Sequence, residues 1–174
     1  MQAPEQEALF QRWLRDHFGL ILKVVRASAG ARHDQDDLLQ DVLVNLWSSI
    51  PKFRGESKET TWIYRVAFNT ALVWRRGETR RSRHHDAFVK LEAPPEAAAS
   101  ASDLLNGPDI VERLYVAIRQ LPKVDASLAL MHLDGLSYLE MSEVLGISEN
   151  YIGVKLTRIR KQLADQLQRG SDEL

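Results

Sequence analysis

The sequence predicts an all-α protein made of two small helical domains joined by a flexible linker. Apolar residues recur at steps of three and four along most of the chain, and no segment alternates with period two for long enough to read as a strand. That periodicity fills about 5–78 and 108–170 and is missing from 79–107. The length of 174 residues suits one domain or two small ones. With 44% hydrophobic and 27% charged residues, the chain has the composition of an ordinary folded protein, which excludes wholesale disorder.

The first helix is expected from about Glu5 to Arg26, with Phe10, Trp13, Leu14, His17, Ile21, Val24 and Val25 on one face and Gly30 as the stop. A second runs from about Gln35 to Ile50 with a stripe of Leu39, Val42, Leu43, Leu46 and Ile50. Asp34 stands at its N-cap or first turn, and Pro51 ends it. After the loop 52–59 a third helix is expected from about Thr60 to Arg76, carrying Trp62, Ile63, Val66, Thr70, Val73 and Trp74 on one side. These make a three- to four-helix bundle.

The pattern breaks after Gly77, and the Pro-, Ala- and Ser-rich run 91–102 reads as a linker. The second unit is expected to have four helices. The first opens near Pro108 and carries Ile110, Val111, Leu114, Ala117, Ile118 and Leu121 until Pro122. The next spans about Asp125–Leu133 and stops at Asp134-Gly135. Ser137 and Glu140 form a capping box for a third, Gly146 breaks it, and Ser148 caps a fourth from Glu149 to about Gln168. Two domains on such a tether are free to dock and to cover each other's surfaces.

Several function classes are excluded or disfavoured. There is no cysteine, so no disulfide scaffold, Cys-ligated zinc, iron–sulfur cluster or thiol nucleophile is available. No run reaches the ~18 apolar residues of a membrane span, and the acidic N-terminus lacks the apolar core of a signal peptide. A cytoplasmic protein without membrane insertion is expected. The five histidines have no metal-ligand spacing, and neither a Gly-rich phosphate loop nor a nucleophile elbow is present. No enzyme activity, metal or cofactor is expected.

The net charge is −1, but the charges are segregated. Asp34, Asp36, Asp37 and Asp41 crowd the start of the second helix; Asp37 and Asp41, four apart and beside Gln40, share one face. Such a face can dock on a basic partner helix, or can simply be a solvated first turn favoured by the helix dipole. Residues 52–83 are the opposite. Lys52, Arg54, Lys58, Arg65, Arg75, Arg76, Arg80, Arg81 and Arg83 outnumber Glu56, Glu59 and Glu78, with Phe53, Trp62, Tyr64, Phe68 and Trp74 interleaved. Cations serve phosphates and aromatic rings serve unstacked bases, so the mixture suits single-stranded nucleic acid. Trp62 lies on the helix stripe and also reads as core. In the second unit, residues 138–163 have the layout of a helix-turn-helix whose second helix offers Asn150, Tyr151, Lys155, Arg158 and Lys161 to a major groove. A helical hairpin with a solvated basic face has the same pattern.

In this order, the pieces resemble the extracytoplasmic-function group of bacterial sigma-70 factors. The run 34–47, DQDDLLQDVLVNLW, is similar to the family's helix that grips the RNA polymerase clamp. FRGES at 53–57, TWIYRVAFNT at 61–70 and Arg75-Arg76 resemble its segment that opens and reads the minus-10 element. Leu121-Pro122, DGLSYLEMSEVLGIS at 134–148 and LTRIRK at 156–161 resemble its minus-35-binding domain. The resemblance implies that Asp34, Asp37, Leu38, Gln40, Asp41 and Asn45 bind core RNA polymerase. It implies that Arg54, Lys58, Arg65, Asn69, Arg75 and Arg76 meet the minus-10 DNA, with a flipped base received by the loop 53–58. Asn150, Tyr151, Lys155, Thr157, Arg158 and Lys161 would meet the minus-35 duplex. Partners would be core polymerase, promoter DNA as duplex and as melted non-template strand, and an anti-sigma factor. The acidic linker would thread into the polymerase's RNA channel. The chain departs from the family at Gly153 and Val154, where polar or basic residues usually face DNA. Val154 can offer only apolar contact, as to a thymine methyl, and Gly153 weakens the helix by up to ~1 kcal/mol.

Three rivals fit parts of the pattern: a helix-turn-helix regulator acting without polymerase, an adaptor that docks on polymerase without reading DNA, and an enzyme. The basic, aromatic segment ahead of the linker favours the sigma reading, since a simple regulator needs no strand-opening surface.

Overall fold

The computed structural model describes residues 3–89 and 110–172, with side chains over 3–74 and 110–168. These residues form helices and no strand. Helix α1 spans Ala3–Ser28, α2 Arg32–Ser49 and α3 Glu59–Val89, with a short 3-10 turn at Ile50–Lys52 before the loop to α3. They pack as a three-helix bundle in which each helix touches the other two. Helix α4 spans Ile110–Gln120, α5 Lys123–Leu133, α6 Tyr138–Leu145 and α7 Glu149–Asp172. Here α7 is the spine against which α4, α5 and α6 lie.

The periodic positions become the core. Trp13, Ile21, Val24 and Val25 of α1 meet Leu38, Val42, Leu46 and Ile50 from α2 and the turn after it, and Ile63, Tyr64, Ala67 and Phe68 of α3. Each such large side chain contributes roughly 1.5–3 kcal/mol through the area it removes from water. Phe53 closes the end of the bundle, edge-on to Trp13 at 5.2 Å and tilted against Trp62 at 5.6 Å.

Two boundaries and one helix face differ from expectation. Helix α2 begins at Arg32 with Ala31 as an N-cap that lends no side-chain bond, so Asp34 is a first-turn acid. Gln35 instead ties down the preceding turn, donating to the carbonyls of Ala29 and Gly30 at 3.1 and 3.3 Å. The inward stripe of α2 is centred one residue earlier than expected, on Leu38 rather than Leu39. The expected linker start at 79 is corrected as well, because α3 runs through Gly77 to Val89. One interior glycine costs only about 1 kcal/mol, and the arginines and glutamate around it are good helix formers. The rest of the expected linker, 90–107, lies outside the described residues.

The two helical units dock. Helix α3 packs on α6, and α1 packs on α4 and α5. Helix α5 accounts for much of this. Its residues 125–131 are all buried, because one side faces α7 and the other meets the N-terminal bundle. A helix apolar on every side must be covered on every side. Ala126, Ser127 and Leu130 of α5 face Ala27, Ser28, Phe68 and Ala71 across a shallow cavity.

Candidate functional site

Three surfaces answer to the sequence. The first is the outer face of α2. Asp37, Gln40 and Asp41 are exposed, and among the described residues neither aspartate has an ion-pair partner. The i, i+4 row continues to Asn45, and Val44, four residues after Gln40, is 64% exposed. Asp34 is half-buried, with His33 Nε2 at 3.1 Å. Asn45 is exposed and donates to Thr70 Oγ1 of α3 at 3.2 Å. Leu38 is a correction. It is fully buried in the bundle core, so its role is packing and no partner can reach it.

The second surface surrounds the loop before α3. The 3-10 turn and a left-handed Gly55, φ +72°, swing residues 53–58 back over the end of the bundle. A cavity of about 510 Å³ results, lined by Lys52, Phe53, Arg54, Glu56, Ser57, Trp62, Arg65 and Glu143. That volume lies within the ~300–1,000 Å³ typical of small-ligand pockets. Trp62 is both core and site. Its indole N–H donates to Ser49 Oγ at 3.1 Å, and its ring lines the cavity with the Arg65 guanidinium 5.9 Å from the ring centre. Arg54 and Lys58 are exposed, and Asn69 is exposed farther along α3. Arg75 and Arg76 lie on α3 beyond its last described side chain. Ser57 belongs to the loop 53–58 expected to receive a base and Lys52 to the basic segment before it, whereas Glu143 has no signal in the sequence, because it arrives from a helix almost eighty residues away.

The third surface is the helix-turn-helix of α6 and α7. Its capping box is complete: the Ser137 N–H donates to Glu140 Oε2 at 2.7 Å, and the Glu140 N–H donates to Ser137 Oγ at 3.2 Å. Gly146, at φ +67°, closes α6 in the left-handed conformation. Ser148 Oγ accepts from the Tyr151 N–H at 3.4 Å to start α7. Asn150, Tyr151, Thr157, Arg158 and Lys161 are exposed, as is Val154 at 54%. The Thr157 hydroxyl donates to the Gly153 carbonyl at 3.0 Å.

Lys155 is a second correction. It is half-buried and turned toward α5, 2.9 Å from the Asp125 carboxylate. Its hydrogen bond to Asp125 raises its pKa above the usual lysine value. In this arrangement the lysine ties α7 to α5. Gly153 faces the Tyr138 ring, which an added Cβ would approach at an ordinary 3.5 Å.

Comparison with known proteins settles the family. The family models for Sigma-70 region 2 and Sigma-70 region 4 match residues 10–81 and 111–163, in that order. The chain belongs to the extracytoplasmic-function group of sigma-70 factors. The sigma-E factor of Haemophilus influenzae is 25% identical over 167 residues, covering 92% of this chain and 86% of the relative. The SigE factor of Mycolicibacterium smegmatis is 27% identical over 178 residues, covering 98% and 67%. Among solved structures, the RpoE–NepR complex of Bartonella quintana matches with a TM-score of 0.71 at 19% identity over 91% of this chain and 96% of that one. CnrH bound to the cytosolic domain of CnrY matches with a TM-score of 0.66 at 18% identity, over 94% and 90%. This sigma factor therefore binds core RNA polymerase and promoter DNA in initiating transcription. No helix among its described residues is long and apolar enough to cross a membrane.

Proposed function

We propose that this sigma factor joins core polymerase through the outer face of α2 and reads two promoter elements with separate surfaces. Asp37, Gln40 and Asp41 grip the clamp by charged and amide contacts, flanked by Asp34 and Asn45. The cavity at the loop 53–58 takes a flipped-out base of the minus-10 non-template strand. Extruding a base costs a few kcal/mol of stacking, which the Trp62 and Phe53 rings and the Arg65 cation offset. Arg54, Lys58, Asn69, Arg75 and Arg76 follow the strand's phosphates. The outer face of α7 enters the minus-35 major groove with Asn150, Tyr151, Thr157, Arg158 and Lys161. Lys155 contributes by holding that helix in place. Val154, exposed between Asn150 and Arg158, suits a thymine methyl.

The observation that carries this reading is the pairing of an unpartnered acidic helix face with a cation- and aromatic-lined cavity on the same bundle. The protein acts in the cytoplasm, where polymerase is, and performs no catalysis of its own. Of the structural neighbours, RpoE is bound to the anti-sigma factor NepR and CnrH to the cytosolic domain of CnrY, which supports control of this chain by an anti-sigma factor.

Run-off transcription tests the reading. Core polymerase, this protein and a pool of promoter fragments from the source genome should yield discrete transcripts, and Asp37→Arg/Asp41→Arg should abolish them along with core binding. Silence with no detectable binding to core would overturn it. Unchanged transcription by the double variant would overturn the assignment of α2.

A further inference from the structure

The docking of the two units is not neutral for DNA binding. Helix α6 lies on α3 beside the minus-10 cavity, and its polar groups engage the cations assigned to that strand. Lys58 Nζ sits 2.7 Å from Glu140 Oε1. Arg65 donates from Nη2 to the Glu143 carbonyl at 2.5 Å, and Glu143 itself forms part of the cavity wall. Just before α6, Asp134 pairs with Lys23 of α1 and accepts from the Tyr64 hydroxyl of α3. Thus a carboxylate and a carbonyl oxygen already occupy Lys58 and Arg65. Meanwhile the outer face of α7 stays exposed.

We propose that free in solution this chain holds itself closed, with α6 acting as an internal stand-in for the minus-10 strand on Lys58 and Arg65. The idea rests on the assignment of those two residues to that strand. The build of the interface fits a reversible lid. Its apolar part surrounds an imperfectly filled cavity where Phe68, Leu72 and Leu130 are interspersed with the small Ala27, Ala71 and Ala126. Its polar part includes ion pairs with solvent-exposed cations, Lys58 74% and Lys23 46% exposed against Glu140 and Asp134, together with the Arg26–Glu112 pair and the part-buried bonds of Arg119 to the Arg26 carbonyl and of Tyr64 to Asp134. Such contacts resemble those of separable domains rather than a permanent core. Opening is then required before the strand can enter, whereas the minus-35 face is available throughout.

The absence of cysteine makes the test direct. Gln11→Cys on α1 and Arg160→Cys on α7 accept a donor and acceptor dye, and energy transfer in the full chain reports closure. Asp134→Asn/Glu140→Gln removes both charges; glutamine still serves the capping box, so α6 keeps its start. Transfer should fall, and affinity for a fluorescein-labelled, mixed-sequence single-stranded DNA should rise roughly three- to tenfold, as expected for losing two accessible ion pairs. Asp134→Lys alone should also open the chain, and adding Lys23→Asp should close it again. Transfer that is equal in the parent and the double variant would overturn closure by these pairs. A fall in transfer with unchanged affinity for the strand would overturn the masking. Run-off transcription by the parent separates this from the functional reading: no transcripts, with masking intact, would sink the latter alone.

Discussion

Leu38 and Lys155 carry the sharpest contrast between residue type and residue role. Leucine at 38 sits inside the acidic motif but is wholly buried, so Leu38→Ala should destabilise the protein by about 2–5 kcal/mol in denaturant unfolding. Asp37→Arg/Asp41→Arg, on the exposed face, should leave stability within about 0.5 kcal/mol. Lysine at 155 lies in the recognition helix but is paired with buried Asp125. Lys155→Ala should therefore cost about 1–3 kcal/mol of stability, more than Arg158→Ala does, while Arg158→Ala should cost more in minus-35 affinity. Gly153→Ala meets only ordinary contact with Tyr138 and gains helix propensity; it should stabilise the fold by up to ~1 kcal/mol. Denaturation midpoints and duplex-binding titrations read all five.

Helix α6 shows what local signals decide and what they leave open. Its start at Ser137, its end at Gly146 and its length follow from side chains within a few residues, and all were legible in the sequence. Its acid Glu140 then serves twice, in the capping box and against Lys58. The Lys58 contact, followed by the Ser137 backbone and hydroxyl, lowers the Glu140 pKa from 4.5 to about 2. A depressed folded-state pKa means the folded form binds this proton less readily than the unfolded form. The stabilisation is present above pH 4.5 and is lost as pH falls toward 2. Thermal unfolding between pH 5 and 2 should show that loss, and Glu140→Gln should flatten it. Helix α5 is the converse case. Its lack of a polar face could be read from 125–131, but which neighbours cover it could not.

At the scale of the whole molecule, the two units face each other through ion pairs and apolar residues. Salt screens exposed pairs, with a Debye length near 10 Å at 0.1 M falling to about 3 Å at 1 M. Small-angle scattering of the free chain should therefore record a radius of gyration that grows with ionic strength. The double variant at Asp134 and Glu140 should start large and change little. On the proposal that α6 covers the cavity at the loop 53–58, while the outer faces of α2 and α7 stay exposed, readiness for DNA is set by domain separation.

The sequence by itself determined the seven helices among the described residues, the order of the two units, the acidic face at Asp37 and Asp41, and the basic, aromatic loop. These depend on spacing along the chain and on caps and breakers a few residues apart, such as Pro51, Pro122, Ser137 and Gly146. Only the tertiary structure decided that Leu38 rather than Leu39 turns fully inward, that Lys155 meets Asp125, and that Glu140 meets Lys58. In each case the deciding partner lies on another helix. Periodicity selects a face to within about one residue, and the atoms packed against that face select the side chain.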